Sequence, residues 1–224
     1  MNTNYEILKT ILAAYMKICA VTRRVTGDFP LPAGPKIIAA NHAYATDAFH
    51  LPFLFREHLH FVMQKSFFTN PLLARIFKQA GQIKVDRENG GQTFKLACEI
   101  LERGETVVIF PEGKLVSPGE HVHARTGAIR MALATGAPII PLGMYTPPQN
   151  VTNVSLQWHG RPRSGRWQVH GTCILKFGEA WKPEHLDAHA LTDELMNRIY
   201  SLVHTIQKEN PCASPSLPNP IPQW

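Results

Sequence analysis

The sequence predicts an α/β domain in which a mixed, largely parallel sheet is covered by helices, with an amphipathic helix ahead of it. Two observations predict this. Short apolar runs such as KIIAA at residues 36–40 and TVVIF at 106–110 suit strands buried on both faces. They alternate along the chain with segments whose apolar residues recur at helical spacing, the pattern of a sheet with helices packed on it. At 224 residues the chain is long enough to bury one substantial core, and its length does not call for two full domains.

Residues 5–25 read as the first helix, with apolar Ile7, Leu8, Ile11, Leu12, Tyr15, Ile18 and Cys19 opposed by a narrow polar stripe at Glu6, Lys9, Lys17 and Arg24. The apolar face is wider than one packing seam needs. Lys17, Arg23 and Arg24 would be drawn to anionic lipid, so an interfacial, membrane-associating helix stands beside the alternative of an ordinary core helix. Residues 1–26 are accordingly set apart from a main domain at 27–208. Pro30, Pro32 and Gly34 break the helix before the strand at 36–40. Then follow a helix at 48–57, a strand at 60–63, a helix at 71–80 and a strand at 82–85. A helix at 92–103, a strand at 106–110, a helix at 126–135 and a strand at 138–142 continue the alternation. Residues 151–166, polar with Trp158, Gly160, Pro162 and Gly165, read as an exposed excursion before a strand at 171–177 and a helix at 192–207. Residues 209–224 are proline-rich without periodicity and are expected to be a disordered tail.

A net charge of +6 and a pI of about 9.3 point to anionic partners, and a 44% hydrophobic fraction excludes a disordered chain. Nucleic acid is disfavoured, since no block of consecutive Lys and Arg and no zinc, RRM or KH signature is present. Cys19, Cys98, Cys173 and Cys212 lack CxxC spacing and read as reduced thiols. No stretch reaches the roughly 18 apolar residues of a membrane-crossing helix. The apolar N-terminus is interrupted by Lys9 and Lys17 and shows no cleavage site, so the expected location is the cytoplasmic side of a membrane, peripheral or monotopic.

Asp47 follows His42 by five positions in Asn41-His42-Ala43-Tyr44-Ala45-Thr46-Asp47, just after an apolar strand. On a continuous helix such residues sit about 140° apart, so they meet only if the backbone turns between strand and helix. A pair of this kind suits general-base catalysis, His42 taking a hydroxyl proton while Asp47 fixes its tautomer. A surface His beside an Asp that caps a helix explains the spacing too, and a metal set of His42, Asp47 and His50 lacks further ligands at suitable spacing. The run at 106–110 leads into Pro111-Glu112-Gly113-Lys114, delivering a carboxylate, a flexible glycine and a cation to one sheet end, or simply a turn. Arg87, after the short strand at 82–85, suits either a phosphate or a surface ion pair.

Taken together, these segments resemble the glycerolipid acyltransferase superfamily, the family of 1-acylglycerol-3-phosphate acyltransferases. Its Asn-His-x4-Asp block is matched at residues 41–47, and its Gly-x-Ile-x-Val-Asp-Arg block resembles 81–87. Its Phe-Pro-Glu-Gly-Thr-Arg-Ser block resembles 110–113, and its apolar block around a proline is similar to 139–142. Lys65-Ser66-Phe67-Phe68 and Thr135-Gly136-Ala137-Pro138 add to a likeness that runs from about residue 36 to 181. The resemblance implies that His42 and Asp47 act directly on the hydroxyl of a lysophospholipid, by default 1-acylglycerol-3-phosphate, with no acylated enzyme residue, no metal and no cofactor. The acyl donor would be acyl-CoA or acyl-carrier protein, and the partner surface an anionic membrane. Arg87, Glu112 and Gly113 would hold the acceptor headgroup. Where Thr-Arg would stand this chain has Lys114-Leu115, so Lys114 would meet a phosphate as a point charge without a guanidinium's fork. That departure keeps other lysolipids open as acceptors. A thioester hydrolase and a non-catalytic lipid-binding protein are the remaining alternatives.

Overall fold

The computed structural model describes residues 2–27, 31–86, 90–120, 122–158, 161–184 and 187–211, with backbone alone at 156–158 and 161–163. The chain begins with α1 (Thr3–Ile18), β1 (Val21–Thr26), β2 (Lys36–Ala40), α2 (Asp47–His50) and β3 (Leu59–Gln64). It continues through α3 (Pro71–Gln79), β4 (Ile83–Val85), α4 (Gly90–Glu102), β5 (Thr106–Ile109), α5 (Gly127–Thr135) and β6 (Ile139–Tyr145). The last elements are β7 (Val151–Trp158), β8 (Arg161–Gln168), β9 (Gly171–Phe177) and α6 (Ala188–Glu209).

β2 is buried along its whole length because it has a strand on each edge and a packed layer on each face. It runs parallel to β5, with Ile37 opposite Val107, and parallel to β6, with Ile38 opposite Ile140. The seven-stranded sheet has the order β1-β9-β6-β2-β5-β3-β4, and its direction reverses once, where β9 pairs antiparallel with β6. On one face Ile37, Val107 and Ile139 meet Leu101 of α4, Ile129 of α5 and Ile199 of α6. On the other, Ile38, Val108 and Leu142 meet Tyr5 of α1, Leu51 and Phe55. Each such side chain contributes about 1.5–3 kcal/mol relative to leaving it in water, which is why these runs become central strands. The expected α/β architecture with a mixed, largely parallel sheet is therefore the observed one.

Four elements differ from expectation. The helix read over 5–25 ends at Ile18, and Cys19 and Ala20 turn the chain, Ala20 at a φ of 49°, into β1. Residues 21–26 thus belong to the main sheet and not to an N-terminal helix, because VTRRVT is rich in β-branched residues and finds a parallel partner in β9. The helix read over 48–57 shrinks to the four residues of α2 and a 3₁₀ turn at Leu51–Phe53, since Pro52 has no N–H to extend an α-helical ladder. The expected excursion at 151–166 is the antiparallel hairpin β7–β8, with Val151 opposite Gln168. α6 starts four residues before the expected 192, where the Asp187 side chain accepts from His189 N and Ala190 N and caps it. It ends at Glu209, and the expected tail beyond 211 lies outside the described residues.

α6 lies directly on the backbone of β6. A Cβ built on Gly143 would stand 2.6 Å from Leu202 Cβ and 2.9 Å from Val203 N. Gly143→Ala is therefore expected to destabilise the protein by about 1–3 kcal/mol through overpacking, read as a lower urea midpoint without a change in m-value.

Candidate active site

The site starts where β2 ends. Asn41 is buried, its Nδ2 donates to Met144 O at 2.9 Å and its Oδ1 accepts from Met144 N at 2.8 Å. The side chain extends the β2–β6 pairing beyond the last residues that the two main chains match, and holds the strand exit in place. The backbone then turns. Asp47 N donates to Tyr44 O at 3.1 Å, and Tyr44 N donates to Asp47 Oδ2 at 2.8 Å. This turn solves the five-residue spacing and leaves Asp47 Oδ2 3.2 Å from His42 Nδ1. Asp47 is the first residue of α2, not its cap, and Thr46 in the cap position makes no side-chain capping bond. The carboxylate is thus turned toward His42 and Tyr44, and the helix-cap explanation falls away.

β5 delivers the second half. Phe110, just past its end, stacks under the His42 ring with centroids 4.2 Å apart. Glu112 is buried, its Oε2 accepting from His42 N at 2.7 Å and its Oε1 from Tyr200 Oη at 3.0 Å. Burial pushes the Glu112 carboxyl up from its ordinary value, opposed by the His42 N–H and the Tyr200 hydroxyl. The Tyr200 hydroxyl is itself raised by burial and by the carboxylate it meets. Glu112, expected to bind acceptor hydroxyls, braces the His42 main chain, with each oxygen accepting one bond inside the protein. Tyr200 was not singled out from sequence, since it sits in the final helix with nothing local to mark it.

The hairpin supports the turn from the outside. Ala45 N donates to Arg166 O at 2.8 Å, and Gln168 N donates to Thr46 Oγ1 at 3.1 Å. The fully buried Gln168 side chain accepts at Oε1 from His50 Nε2 at 2.9 Å and donates to Gly171 O, also at 2.9 Å. Tyr15 of α1 donates its hydroxyl to Gln168 O at 2.5 Å. Since His50 Nε2 carries the proton in that bond, Nδ1 is an acceptor, and it is buried without a partner among the described residues. Burial lowers the His50 pKa, keeping the ring neutral. His50 therefore serves Gln168, and no group of three His, Cys, Asp or Glu among the described residues is placed to hold a metal.

Beyond Glu112 the chain opens to solvent. Gly113 sits at a φ of +66°, and a Cβ there would stand 2.7 Å from Arg125 Nε, so the turn requires glycine. Its carbonyl accepts from Gln64 Nε2 at 3.2 Å. Gly113, Lys114, His123, Arg125 and His189 line a cavity of about 500 Å³ that also reaches Glu112. Lys114 and Arg125 are exposed, and among the described residues neither has a carboxylate within ion-pair distance. Arg125 escaped sequence reading because it approaches Gly113 only through the fold, its N–H donating to Pro111 O at 2.8 Å. The structure brings together His42, Asp47, Glu112, Gly113 and Lys114, while Arg87 lies outside the described residues.

The profile of the Acyltransferase family matches residues 22–145, more than half of the chain. The chain belongs to the acyltransferase family. Its curated relatives include 1-acyl-sn-glycerol-3-phosphate acyltransferases of Cocos nucifera, 26% identical over 80% of this chain, and of Pseudomonas aeruginosa, 24% identical over 79%. One from Limnanthes alba is 30% identical over 47% of the chain. The chain spans 56%, 65% and 39% of the lengths of these three relatives, respectively. The crystal structure of the 1-acyl-sn-glycerophosphate (LPA) acyltransferase PlsC from Thermotoga maritima aligns with a TM-score of 0.64, covering 91% of this chain and 81% of that one. At 19% identity that likeness concerns the α/β fold. The matched segment of this chain runs from β1 to the end of β6 and contains the whole His42–Asp47 turn and the Glu112 brace.

Gln168 is the junction through which the chain holds its turn. Gln168→Ala would strand His50 Nε2 in the interior, and is expected to cost about 1–3 kcal/mol by urea unfolding, whereas replacing exposed Ser201 should change stability by less than about 0.5 kcal/mol.

Proposed function

We propose that this acyltransferase moves a fatty acyl group from the thioester of acyl-CoA or acyl-carrier protein to the free hydroxyl of 1-acylglycerol-3-phosphate, giving phosphatidic acid. The observation that carries the reading is the His42 Nδ1–Asp47 Oδ2 contact at 3.2 Å, with the His42 main chain held by Glu112. Asp47 accepts the Nδ1 proton, which leaves Nε2 as the basic nitrogen. Nε2 takes the acceptor's hydroxyl proton as its oxygen attacks the thioester carbonyl carbon. The tetrahedral intermediate then collapses, the carbon–sulfur bond breaks, and the imidazolium returns the proton to the leaving thiolate. General-base catalysis of this kind contributes typically about 10²–10⁴-fold. An acylated cysteine is not needed, and Cys98 and Cys173 are poorly suited to one, since both are buried and burial raises their thiols.

At the mouth, Lys114 and Arg125 supply positive charge for the acceptor phosphate, with Gly113 allowing close approach and Arg87 a further candidate by its place in the sequence. The third block lacks its usual arginine, and Arg125 reaches the same turn from the start of α5. That substitution also favours a second reading, in which the acceptor is another lysolipid whose headgroup fits a cavity lined by Lys114, Arg125 and two histidines. We read α1 as the element that seats the protein peripherally or monotopically on the cytoplasmic side of an anionic membrane, since Ile7, Ile11 and Ile18 remain exposed on it. No helix among the described residues is long and apolar enough to cross a membrane.

The test is turnover by the purified full chain with long-chain acyl-CoA or acyl-carrier protein and a panel of lysolipids. His42→Ala is expected to lose about 10³-fold or more in kcat, and Asp47→Asn about 10²-fold or more. Equal turnover by wild type and His42→Ala refutes the mechanism, free fatty acid without ester identifies a hydrolase, and vesicle binding without turnover identifies a lipid binder. Within the same panel, Arg125→Ala should raise KM for phosphate-bearing acceptors roughly tenfold while leaving the KM of the donor unchanged.

A further inference from the structure

Two helices carry apolar side chains that the core does not use. α1 buries Tyr5 and Met16 on one side and leaves Ile7, Ile11 and Ile18 exposed by 46%, 57% and 83% on the other. α3 is the more unusual, because its sequence PLLARIFKQ is strongly amphipathic and yet none of its residues is buried. Leu72 is 68% exposed, and Phe67 in the 3₁₀ turn Lys65–Phe68 just before it is 46% exposed. A nine-residue helix has little stability of its own and is normally held by burial of its apolar stripe. Here the caps help to hold it, Asn70 Oδ1 accepting from Leu72 N and Leu73 N, and the stripe is only half covered, with Leu73, Ile76 and Phe77 partly buried and Leu72 left out.

The two helices form one surface. They pack against each other, and Asn2 Nδ2 at the start of α1 donates to Gln79 O at the end of α3 at 2.7 Å. The charge on this surface is one-sided. Residues 65–79 contain Lys65, Arg75 and Lys78 and no Asp or Glu, and α1 adds Lys9 and Lys17 against the single Glu6. Lys65 leans toward Asp86 at 3.8 Å, whereas exposed Arg75 and Lys78 have no carboxylate within ion-pair distance among the described residues. Exposed Leu and Phe fringed by unpaired Lys and Arg is the complement of an anionic bilayer, where apolar burial and headgroup attraction act together.

We propose that α3 and the turn before it form a second membrane contact, which docks together with α1 on an anionic lipid surface. The contact adjoins the candidate site, because Gln64, the residue before that turn, bonds to the Gly113 carbonyl at the mouth. A lipid acceptor would then enter from the headgroup layer without leaving it. This inference rests on the membrane reading of α1 and extends it to a surface that reading does not include.

Cosedimentation of the full chain with phosphatidylcholine vesicles, with and without phosphatidylglycerol, tests it independently of turnover. Leu72→Asp should weaken partitioning onto mixed vesicles roughly tenfold, with circular dichroism and the urea midpoint unchanged because the site is exposed. Arg75→Gln with Lys78→Gln should weaken it roughly tenfold or more on phosphatidylglycerol-containing vesicles and hardly at all on pure phosphatidylcholine. If both variants partition like wild type while Ile11→Asp does not, the α3 contact is refuted and the α1 reading stands. If all three partition like wild type, both fall. If Leu72→Asp instead abolishes self-association in sedimentation velocity and leaves vesicle binding intact, the surface joins two copies of the chain and the proposal is overturned.

Discussion

Asn41 closes both hydrogen-bonding ends of its side chain on Met144, and the geometry of the candidate site follows from that clasp. It ends β2 at a fixed point, so the next residue, His42, leaves the sheet with its main-chain N–H facing the carboxylate that β5 delivers. Only from this exit can a tight turn bring Asp47 back to the ring it left five residues earlier. The three partners come from β6, from the chain just past β5 and from the first residue of α2, so the site is a property of the fold and not of the short segment that carries the pair.

The polar groups behind the site are buried and nearly all satisfied, with His50 Nδ1 the orphan among the described residues. Networks of this kind rigidify when complete and are costly when broken, because each stranded group loses its solvation. Tyr200 from α6, Gln168 from β8 and Tyr15 from α1 each contribute one end of the frame, which ties the turn to elements far from it in sequence. The general base proposed at His42 would benefit from such a frame, since freedom of its main chain would blur the direction of its lone pair.

What could be read in advance followed the range of the forces involved. β2, β5 and β6 were legible because burial on both faces leaves an unbroken apolar run, and the His42–Asp47 spacing was legible because it implies a turn. The end of α1 was not, because Val21–Thr26 becomes a strand only in the presence of β9, whose partner residues lie about 150 positions away. The hairpin at β7–β8 was missed for a similar reason: its alternation at Val154, Leu156 and Trp158 was masked by the polar and glycine-rich residues around it. Gln168, Tyr200 and Arg125 carried no local signal at all, since each acquires its role through a contact spanning from 12 to 122 residues. Glu112 was found by its motif, but its bonds to His42 N and Tyr200 were not, because a motif names a residue without saying which way its carboxylate faces.

β1 has one further consequence, which concerns its outer edge. An edge strand offers unpaired N–H and C=O groups to any other extended chain, and charged side chains are among the means by which proteins discourage that pairing. Arg23 and Arg24 occupy the middle of this strand, the first lying over the Phe53 ring with 4.8 Å to the centroid and the second bonded to the Asn210 side chain. Two cations first read as anchors for lipid thus sit where strand addition would begin, at one margin of the sheet, and the opposite margin is only three residues long at β4. A sheet guarded at both margins offers little template for a further strand.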